Sequence, residues 1–387
     1  MFLTEFHREA SLLAWPRSML LAATAAALGG ATSAHAGDPF ESAEPPALPA
    51  EVRDGPLPAE IRRGSFLAVP IPTSNPTIGT GLIGVTAYFW PQDAKQADVQ
   101  PPSVTGLVAM YTDTESWALG IGHNAYWDED RWRLSAGLGT INLNLPLLAG
   151  DSGGAELDVD WEIEGEFLSA ELSRAFGEAW YAGLAGRYLN FEQTFSLGLE
   201  TVLFDLLTAV EATSVGPVVV RDSRDSTTYP RGGSYFKAGL MYTWRGRQTD
   251  EAYRSIDLAF SSFHLPRDNL VLAWRANWCE RQAGAPLWDS CRVGLRGFPA
   301  TNYLGRSSYL AEVEARWQIS ERWGAVAFGG AGQVRNSFSG LEDSDTIPSV
   351  GLGLRFLVQK AQHINLRLDY ARSDDEDAIY FFVGEAF

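Results

Sequence analysis

The sequence predicts an all-β fold, a transmembrane antiparallel β-barrel of about sixteen strands. Three observations predict it: long stretches alternate with period two between large apolar and small or polar residues, these stretches are about 9–14 residues long, and aromatic residues recur at their ends. A tilted strand that crosses a bilayer needs that length, and tryptophan and tyrosine favour the two membrane interfaces. Lipid cannot pair the open edges of a sheet, so such a sheet has to close on itself.

The composition excludes several other classes of protein. The chain has 387 residues, with 30 Lys and Arg against 48 Asp and Glu, which gives a formal net charge of −18. A mean hydropathy of −0.10 argues against several membrane-spanning helices, each of which needs about 20 apolar residues. A hydrophobic content of 45% is too high for a disordered chain, and the acidity leaves no basic patch for nucleic acid.

The first residues have the build of a secretory signal peptide. An apolar run from Met19 to Gly30, about 12 residues long and too short to span a membrane, follows Arg17 and precedes the small-x-small site that ends at Ala36. We therefore expect a signal peptide over 1–36. Residues 37–62 carry six prolines and predict an extended periplasmic linker, which leaves 63–387 for the barrel.

Each strand is predicted from alternation of the same kind. Trp117, Leu119 and Ile121, for example, alternate with Ala118 and Gly120. The sixteen predicted strands span, in order, 64–71, 79–90, 103–112, 115–127, 131–142, 162–176, 179–192, 214–224, 233–245, 253–264, 269–279, 306–319, 323–334, 348–359, 362–372 and 378–386. An even count puts both ends of the barrel domain on the periplasmic side. The connections on that side are then mostly short, with 91–102 as the exception, and the outer ones are long (143–161, 193–213, 280–305 and 335–347).

Two cysteines predict a disulfide. Cys279 and Cys291 are the only cysteines in the chain, and an exported pair spaced this closely usually pairs in an oxidising compartment. The spacing offers no second cysteine pair and no nearby histidine for a metal site. We expect no metal and no cofactor.

The longest outer connection contains the string Leu295-Arg296-Gly297-Phe298, which stands before a strand that carries Glu312 and Glu314. It resembles the [V/I/L]-R-G-[F/Y] loop of the BamA/TamA-like barrel superfamily, also called bacterial surface antigens, which serves outer-membrane assembly and two-partner secretion. In that superfamily the loop lies between strands eleven and twelve, which is the interval counted here.

Two further stretches carry the same resemblance. The closing residues up to Phe387 look like the terminal strand signal of these barrels. The turn over 221–233 looks like the superfamily's D-x-R-D…P-x-x-G pattern, with matching residues Asp222, Arg224, Asp225, Pro230 and Gly233. Together the motifs cover 215–387 well, and 64–214 only through the strand pattern.

The sequence departs from the superfamily in two places. The superfamily's periplasmic POTRA modules have no room in 37–62, and its F-x-D-x-G strand motif stands here as Phe328 to Gly332, with Gly330 in place of the acid that normally pairs with the loop arginine. A buried arginine needs a carboxylate. By strand parity Glu312, Glu314 and Asp369 face the lumen, so we expect one or more of them to hold Arg296. Loop packing without any locking role is the alternative. Glu385 is also unusual, because outward apolar residues are favoured there.

The resemblance implies a non-enzymatic outer-membrane barrel that inserts or translocates polypeptide, or lipid, with a loop locked in the lumen by Arg296. Its expected partners are outer-membrane lipid, lipopolysaccharide, client polypeptides and a periplasmic protein that replaces the POTRA modules; no nucleic acid is expected. A passive porin or small-solute channel is the alternative. The sequence predicts neither the client nor the oligomeric state.

Other strings favour simpler interpretations. Residues 150–154 match the nucleophile string of serine proteases, yet no histidine and acid are placed to serve it, so an acidic flexible loop is favoured. His123, His264 and His363 show no matched serine motif. Acidic residues in the last two outer loops suit solvated loops that divalent ions bridge to lipopolysaccharide phosphates; they are Asp343, Asp345, Asp374, Asp375, Glu376 and Asp377.

Overall fold

The structure is a computed structural model. It describes residues 64–75, 77–149, 157–199, 202–226, 229–246, 252–297, 301, 303–337, 345–359, 363–373 and 377–387. The predicted signal peptide and linker lie outside the described residues, and so do the string 150–154 and four of the six acidic loop residues (Asp343, Asp374, Asp375 and Glu376).

In the described residues, seventeen strands form one antiparallel sheet. They are β1 (Ser65–Asn75), β2 (Gly79–Phe89), β3 (Val104–Thr112), β4 (Trp117–Trp127), β5 (Trp132–Ala149), β6 (Leu157–Gly177), β7 (Trp180–Leu199), β8 (Val202–Asp222), β9 (Gly233–Gly246), β10 (Ala252–Arg267), β11 (Leu270–Arg281), β12 (Cys291–Arg292), β13 (Leu304–Gln318), β14 (Trp323–Ser337), β15 (Ile347–Gln359), β16 (Ile364–Ser373) and β17 (Asp377–Val383). The two-residue β12 lies in a loop and pairs with β13, β11 pairs directly with β13, and β1 pairs with β17. The sixteen long strands therefore close into a barrel, and the predicted fold is confirmed.

The two ends of the barrel differ. One end, called the helix end below, carries the helix α1 (Ala94–Val99) in the connection between β2 and β3, and also the turn over 223–232 and residues 384–387. Asp93 caps α1, because its side chain accepts from the Gln96 backbone N–H at 2.8 Å. The opposite end, called the loop end, carries the connection over 282–303 with its 3₁₀ helix (Leu287–Asp289). No helix among the described residues is long and apolar enough to span a membrane.

Alternation produces an apolar outer surface. Leu107 is 49% exposed, whereas its neighbours Gly106 and Val108 face inward and are buried. Similar exposed residues lie on most other long strands, including Leu138, Leu168, Leu184, Leu240, Leu272, Val313, Leu352 and Leu368. Exposed aromatic residues flank this band at the helix end (Trp90, Trp127, Phe176, Trp317 and Trp323) and at the loop end (Tyr111, Tyr188, Tyr242, Tyr309 and Tyr370). Two aromatic belts around an apolar band are the surface that a bilayer requires.

Four strands are longer than predicted. β5 to β8 have 18 to 21 residues, so most of the connections predicted over 143–161 and 193–213 are strand. Beyond the belt residue Tyr188 of β7 the strands still alternate, but their outward residues are polar and their inward residues apolar. In β6, Trp161 and Ile163 face inward and are buried, while Glu164 and Glu166 face outward and are exposed. This is the pattern of a sheet in water. The predicted boundaries at this end were wrong because these strands continue beyond the length that crosses a bilayer.

The barrel interior is packed and has two parts. Towards the loop end, strands β1 to β8 line it with an apolar cluster that includes Ile83, Ile141, Trp161, Ile163 and Leu189, and Trp288 of the 282–303 connection packs into this cluster. Strands β11, β13, β15 and β16 line the other part with arginines and carboxylates, which are nearly all buried. The lumen is therefore apolar in one part and charged in the other.

Candidate functional site: the loop and arginine cluster of the lumen

The 282–303 connection folds into the barrel from the loop end. The predicted disulfide joins Cys279 of β11 to Cys291 with a Cα–Cα distance of 5.6 Å. Cys291 and Arg292 then pair with Gly305 and Leu304 of β13. The cross-link and this short ladder fix the base of the loop against the wall from which it starts.

Asp289 is a second anchor, and the sequence analysis missed it. The Tyr253 hydroxyl donates to one carboxylate oxygen at 2.6 Å, and Arg187 donates to the other at 3.3 Å. The Arg281 side chain donates to the Asp289 carbonyl at 3.0 Å. Burial alone would raise the pKa of Asp289, but the charges of Arg281 and Arg187 outweigh burial and hold the pKa below its usual value. The partners come from β7, β10 and β11, so no local sequence signal marks the aspartate.

Arg296 lies at the centre of the charged half of the lumen, 3% exposed. Its Nε donates to Glu312 at 3.0 Å, and its Nη2 donates to both Glu312 and, at 2.5 Å, Glu314. Its Nη1 donates to Asp369 at 2.7 Å, and its Cζ stands 3.4 Å from the centre of the Phe328 ring. All three acids proposed from strand parity thus contact the guanidinium.

The backbone beside Arg296 is bound to the strands near the closure of the barrel. The Gly297 N–H donates to the Tyr380 hydroxyl of β17 at 2.8 Å, and its carbonyl accepts from Ser373 at 2.8 Å. The Arg296 carbonyl accepts from Ser349. Gly297 has φ +118°, a conformation that side chains disfavour, so glycine is required at this position. Phe298 lies outside the described residues.

Glycines of β14 make room for the loop. A Cβ built on Gly330 would stand 2.9 Å from Leu295 Cδ2, and one on Gly332 would stand 2.3 Å from Val293 Cγ1. Leu295 and Val293 are each 1% exposed in a small apolar cluster against β14. The glycine that replaces the superfamily's acid at 330 therefore gives its space to Leu295, while β13 and β16 supply the carboxylates.

The cluster around Arg296 extends towards the helix end. Arg275 contacts Glu312 at 2.6 Å and Arg316 contacts Glu314 at 2.7 Å. Arg355 contacts Asp369 at 2.5 Å and Glu385 at 2.9 Å. With Arg367, which stands 3.5 Å from Asp369, five arginines share four carboxylates. We call this set the arginine cluster: Arg275, Arg296, Arg316, Arg355 and Arg367 with Glu312, Glu314, Asp369 and Glu385.

The second predicted motif forms its own structure at the helix end, away from Arg296. Arg224 donates to both carboxylate oxygens of Asp222 at 2.9 Å, and Asp225 accepts from the Arg231 N–H at 2.9 Å. Gly233 has φ +89°, and a Cβ there would stand 2.1 Å from the Ser223 carbonyl oxygen. Pro230 is buried. These residues shape a tight turn.

This turn reaches across the mouth of the barrel. Tyr229 stacks on His363 of the opposite wall with ring centres 4.7 Å apart, and its hydroxyl donates to Gln318 at 3.3 Å. Burial and the nearby Glu385 raise the pKa of Tyr229. The turn between β8 and β9 therefore covers the arginine cluster from the helix end.

The last residues differ from the prediction. The predicted strand 378–386 ends at Val383, and Glu385 and Phe387 lie inside the lumen, 7% and 4% exposed. The predicted strand is thus too long by three residues, and the assignment of Phe387 as a terminal strand signal stays a prediction. Gly384, with φ +97°, turns the chain inward, and the inward position removes the difficulty of a charged Glu385 facing lipid.

One histidine has a serine partner that the sequence analysis did not find. Ser262 Oγ lies 3.2 Å from His264 Nε2, on the outward face of β10. Catalysis by such a pair needs an acid or amide that orients the histidine. Among the described residues no carboxylate forms an ion pair with His264.

Comparisons with known proteins agree with this geometry. No protein-family model and no curated protein match the sequence. Among solved structures, BamA from Haemophilus ducreyi lacking POTRA domains 1–3 superposes with a TM-score of 0.55 at 14% identity, over 84% of this chain and 69% of that one. The chain has the fold of the BamA barrel.

Two further structures extend the likeness. CdiB from Escherichia coli superposes with a TM-score of 0.56 at 12% identity, and CdiB from Acinetobacter baumannii with 0.52 at 14%. Each match covers 83% of this chain, which spans 62% and 59% of the length of those two proteins. The resemblance first suggested by the Arg296 loop is thus confirmed at the level of the fold.

Proposed function

We propose that this chain is an outer-membrane barrel of the BamA/TamA-like kind, which inserts or translocates polypeptide, or lipid, without catalysing a covalent step. The observation that carries the proposal is the Arg296 loop held in the lumen beside a weak barrel closure, where, among the described residues, β1 and β17 share the single residue pair Ser74↔Phe381. A protein-conducting barrel needs a closed resting state and a place where it can open, and these two features supply both.

The closure between β1 and β17 is much shorter than its neighbours. β1 pairs with β2 from Ser65↔Phe89 to Asn75↔Gly79, and β16 pairs with β17 from Leu366↔Val383 to Arg372↔Asp377. Separating β1 from β17 breaks few hydrogen bonds and exposes two strand edges. An extended client segment can pair with such an edge through its backbone.

The loop stands beside this closure. Arg296 binds Asp369 of β16, and Gly297 binds Tyr380 of β17. Release of the loop would free the last two strands from contacts that now fix them to β13. The Arg296 lock and the β1–β17 closure therefore form one opening mechanism in the proposal.

The outer surface supports the proposed location. An apolar band between two aromatic belts suits a bilayer, and the predicted export signal implies the outer membrane. The partners in the proposal are membrane lipid and lipopolysaccharide, a client polypeptide, and a periplasmic protein that takes the part of the POTRA modules.

A passive channel is a weaker candidate. A porin keeps a water-filled polar lumen. In the described residues the lumen is occupied instead by a packed apolar cluster, by the 282–303 connection and by ion-paired arginines. These features disfavour steady solute flow through the barrel axis.

Cross-linking the closure tests the proposal. Ser74→Cys combined with Phe381→Cys places two cysteines on directly paired residues, within disulfide reach. A strain that lacks the gene, complemented by this variant, should show the same loss of outer-membrane proteins or lipids as the uncomplemented strain, because the closure cannot open. Mild reduction should restore them.

A matched cross-link serves as the control. Ala68→Cys with Thr86→Cys joins β1 to β2, which stay paired in the proposed mechanism, so it should complement fully. Both variants retain the native disulfide and respond alike to reductant. Equal complementation by the two oxidised variants would overturn the proposal.

A further inference from the structure

Residues 384–387 occupy a built site inside the lumen. The Gly384 N–H donates to the Asn365 carbonyl at 2.7 Å and the chain then leaves β17. Ala386 and Phe387 are 2% and 4% exposed, against Phe263 and Ala273 of β10 and β11. The segment, called the luminal segment below, is held as a bound peptide would be.

The first part of the site recognises a carboxylate. Glu385 accepts from Arg355 Nε at 2.9 Å through one oxygen and from Asn365 Nδ2 at 2.8 Å through the other. Arg316 Nε stands 3.8 Å away. Charge-assisted hydrogen bonds of this kind in a buried place discriminate strongly against a neutral side chain.

The second part recognises an aromatic ring. The guanidinium carbons of Arg316 and Arg275 lie 5.1 and 5.2 Å from the centre of the Phe387 ring, and the Phe263 ring centre lies 6.2 Å from it. Arg316 also donates to the main-chain oxygen of Phe387 at 2.8 Å. Cations beside the ring and an apolar neighbour favour an aromatic side chain over an aliphatic one.

The arginine cluster needs the segment. Glu385 is one of four carboxylates that face five arginines, so its removal leaves three. Even with it present, Arg316 Nη1, Arg355 Nη2 and two nitrogens of Arg367 are buried with no hydrogen-bond partner among the described residues. An uncompensated buried cation is costly, so an empty site would attract another anion.

The site shares its arginines with the Arg296 lock. Arg316 binds Glu314 at 2.7 Å and Arg355 binds Asp369 at 2.5 Å, and these two acids also hold Arg296. The luminal segment and the loop are thus joined by two continuous chains of ion pairs. Losing the segment changes the charge that both acids experience.

We propose that the lumen contains a peptide-binding site for a carboxylate followed two residues later by an aromatic ring, that the luminal segment is its internal ligand, and that occupancy of the site stabilises the Arg296 loop. A peptide from another chain with the same two features would compete for the site from the helix end. The inference concerns peptide binding and stands whether or not the barrel translocates polypeptide.

Peptide binding to a shortened chain tests the site. The probe is a fluorescently labelled peptide of residues 383–387 with a blocked carboxyl end, measured by anisotropy with the barrel in detergent. It should bind a chain that stops at Gly384 and should not bind the full chain, whose site is filled. The matched peptide with Glu385→Gln should bind at least about tenfold more weakly, because hydrogen bonds to a charged group are lost. Equal binding of the two peptides, or none, would overturn the site.

A second measurement tests the coupling and covers a shortened chain that fails to fold. The full chain with Glu385→Gln and Phe387→Ala keeps its backbone and weakens only its own segment, so it should bind the labelled peptide where the unmodified chain does not. Hydrogen exchange of residues 293–297 should be faster in this variant and should return towards the unmodified rate when peptide is added. Exchange that peptide does not alter would contradict the coupling, and absence of peptide binding would contradict the site itself.

Discussion

Arg296 illustrates how one side chain joins a loop to two strands of the barrel wall. Its guanidinium makes hydrogen bonds to three carboxylates and stands over the Phe328 ring. Lysine keeps the charge but presents its three N–H donors from one nitrogen, without the planar fork of five donors that arginine has. The contacts therefore depend on the planar fork of arginine and not on positive charge alone.

Replacing Arg296 should loosen the loop. Arg296→Ala leaves buried carboxylates with one cation fewer, and we expect a loss of about 3 kcal/mol or more; Arg296→Lys should lose less. Protease cleavage within 293–301 of the detergent-folded barrel measures the effect. Arg131→Ala is the matched control, because Arg131 is an exposed arginine with exposed acidic partners. Unchanged protection in Arg296→Ala would show that the loop is held by packing alone.

Gly330 offers a second test at the residue scale. Gly330→Asp restores the acid of the superfamily motif, yet its Cβ would stand 2.9 Å from Leu295 Cδ2 and 2.7 Å from the Ala311 carbonyl oxygen. We expect faster cleavage of the loop in this variant, and partial recovery when Leu295→Ala is added. Overpacking of this kind typically costs about 1–3 kcal/mol. Slower cleavage of the loop in Gly330→Asp would show that Arg296 binds a fourth carboxylate, and the predicted steric clash with Leu295 would then be wrong.

At the scale of elements, the 282–303 connection depends on its anchors. The disulfide closes a loop with a sequence separation of 12 residues, which contributes about 3 kcal/mol in the chain-entropy model. Cys279→Ser with Cys291→Ser should therefore increase hydrogen exchange over 285–293 while leaving β10 and β11 protected. Exchange spreading into those strands would mean that the disulfide supports the barrel wall as well.

Asp289 should make the same connection sensitive to acid. Its pKa is lowered in the folded chain, so its contribution is complete above the unfolded value near pH 4 and is lost as the pH falls through the folded pKa. Asp289→Asn should weaken the protection of residues 287–293 from hydrogen exchange at neutral pH. It should also reduce the loss of protection that the unmodified chain shows below about pH 4. Hydrogen exchange corrected for the intrinsic rate at each pH measures it. An equally steep loss in both chains would assign the sensitivity to other acids.

The elements also show what the sequence could and could not predict. All sixteen long strands were predicted, because the alternation of side chains along each strand shows which of them face lipid and which face the lumen. The extension of β6 before residue 162 was missed because an outward acid such as Asp160 looks like a loop residue when only a membrane surface is expected. The inward turn after Val383 was missed because the residues after it still alternate as a strand does. The change of direction comes from the backbone of one glycine, Gly384, at φ +97°. Asp289 was missed because its partners lie on three distant strands.

The whole molecule explains the acidity and the hydropathy of the chain. Part of the excess acid lies on the outward face of β6 beyond the aromatic belt, as Glu164 and Glu166 do. Another part lies in the arginine cluster, where the arginines outnumber the carboxylates. The apolar half of the lumen raises the mean hydropathy of the chain and so offsets the polar residues elsewhere. The interior of this barrel is filled by apolar packing on one side and by ion pairs on the other.

This arrangement predicts the electrical behaviour of the barrel. In planar bilayers the unmodified chain should show no large steady conductance, because the 282–303 connection, the apolar cluster around Trp161 and the arginine cluster fill the axis. Arg296→Ala should produce intermittent openings as the loop leaves the lumen, whereas Arg131→Ala should behave as the unmodified chain does. A large steady conductance that Arg296→Ala leaves unchanged would instead favour a passive channel, since the loop contacts would then control no passage through the lumen.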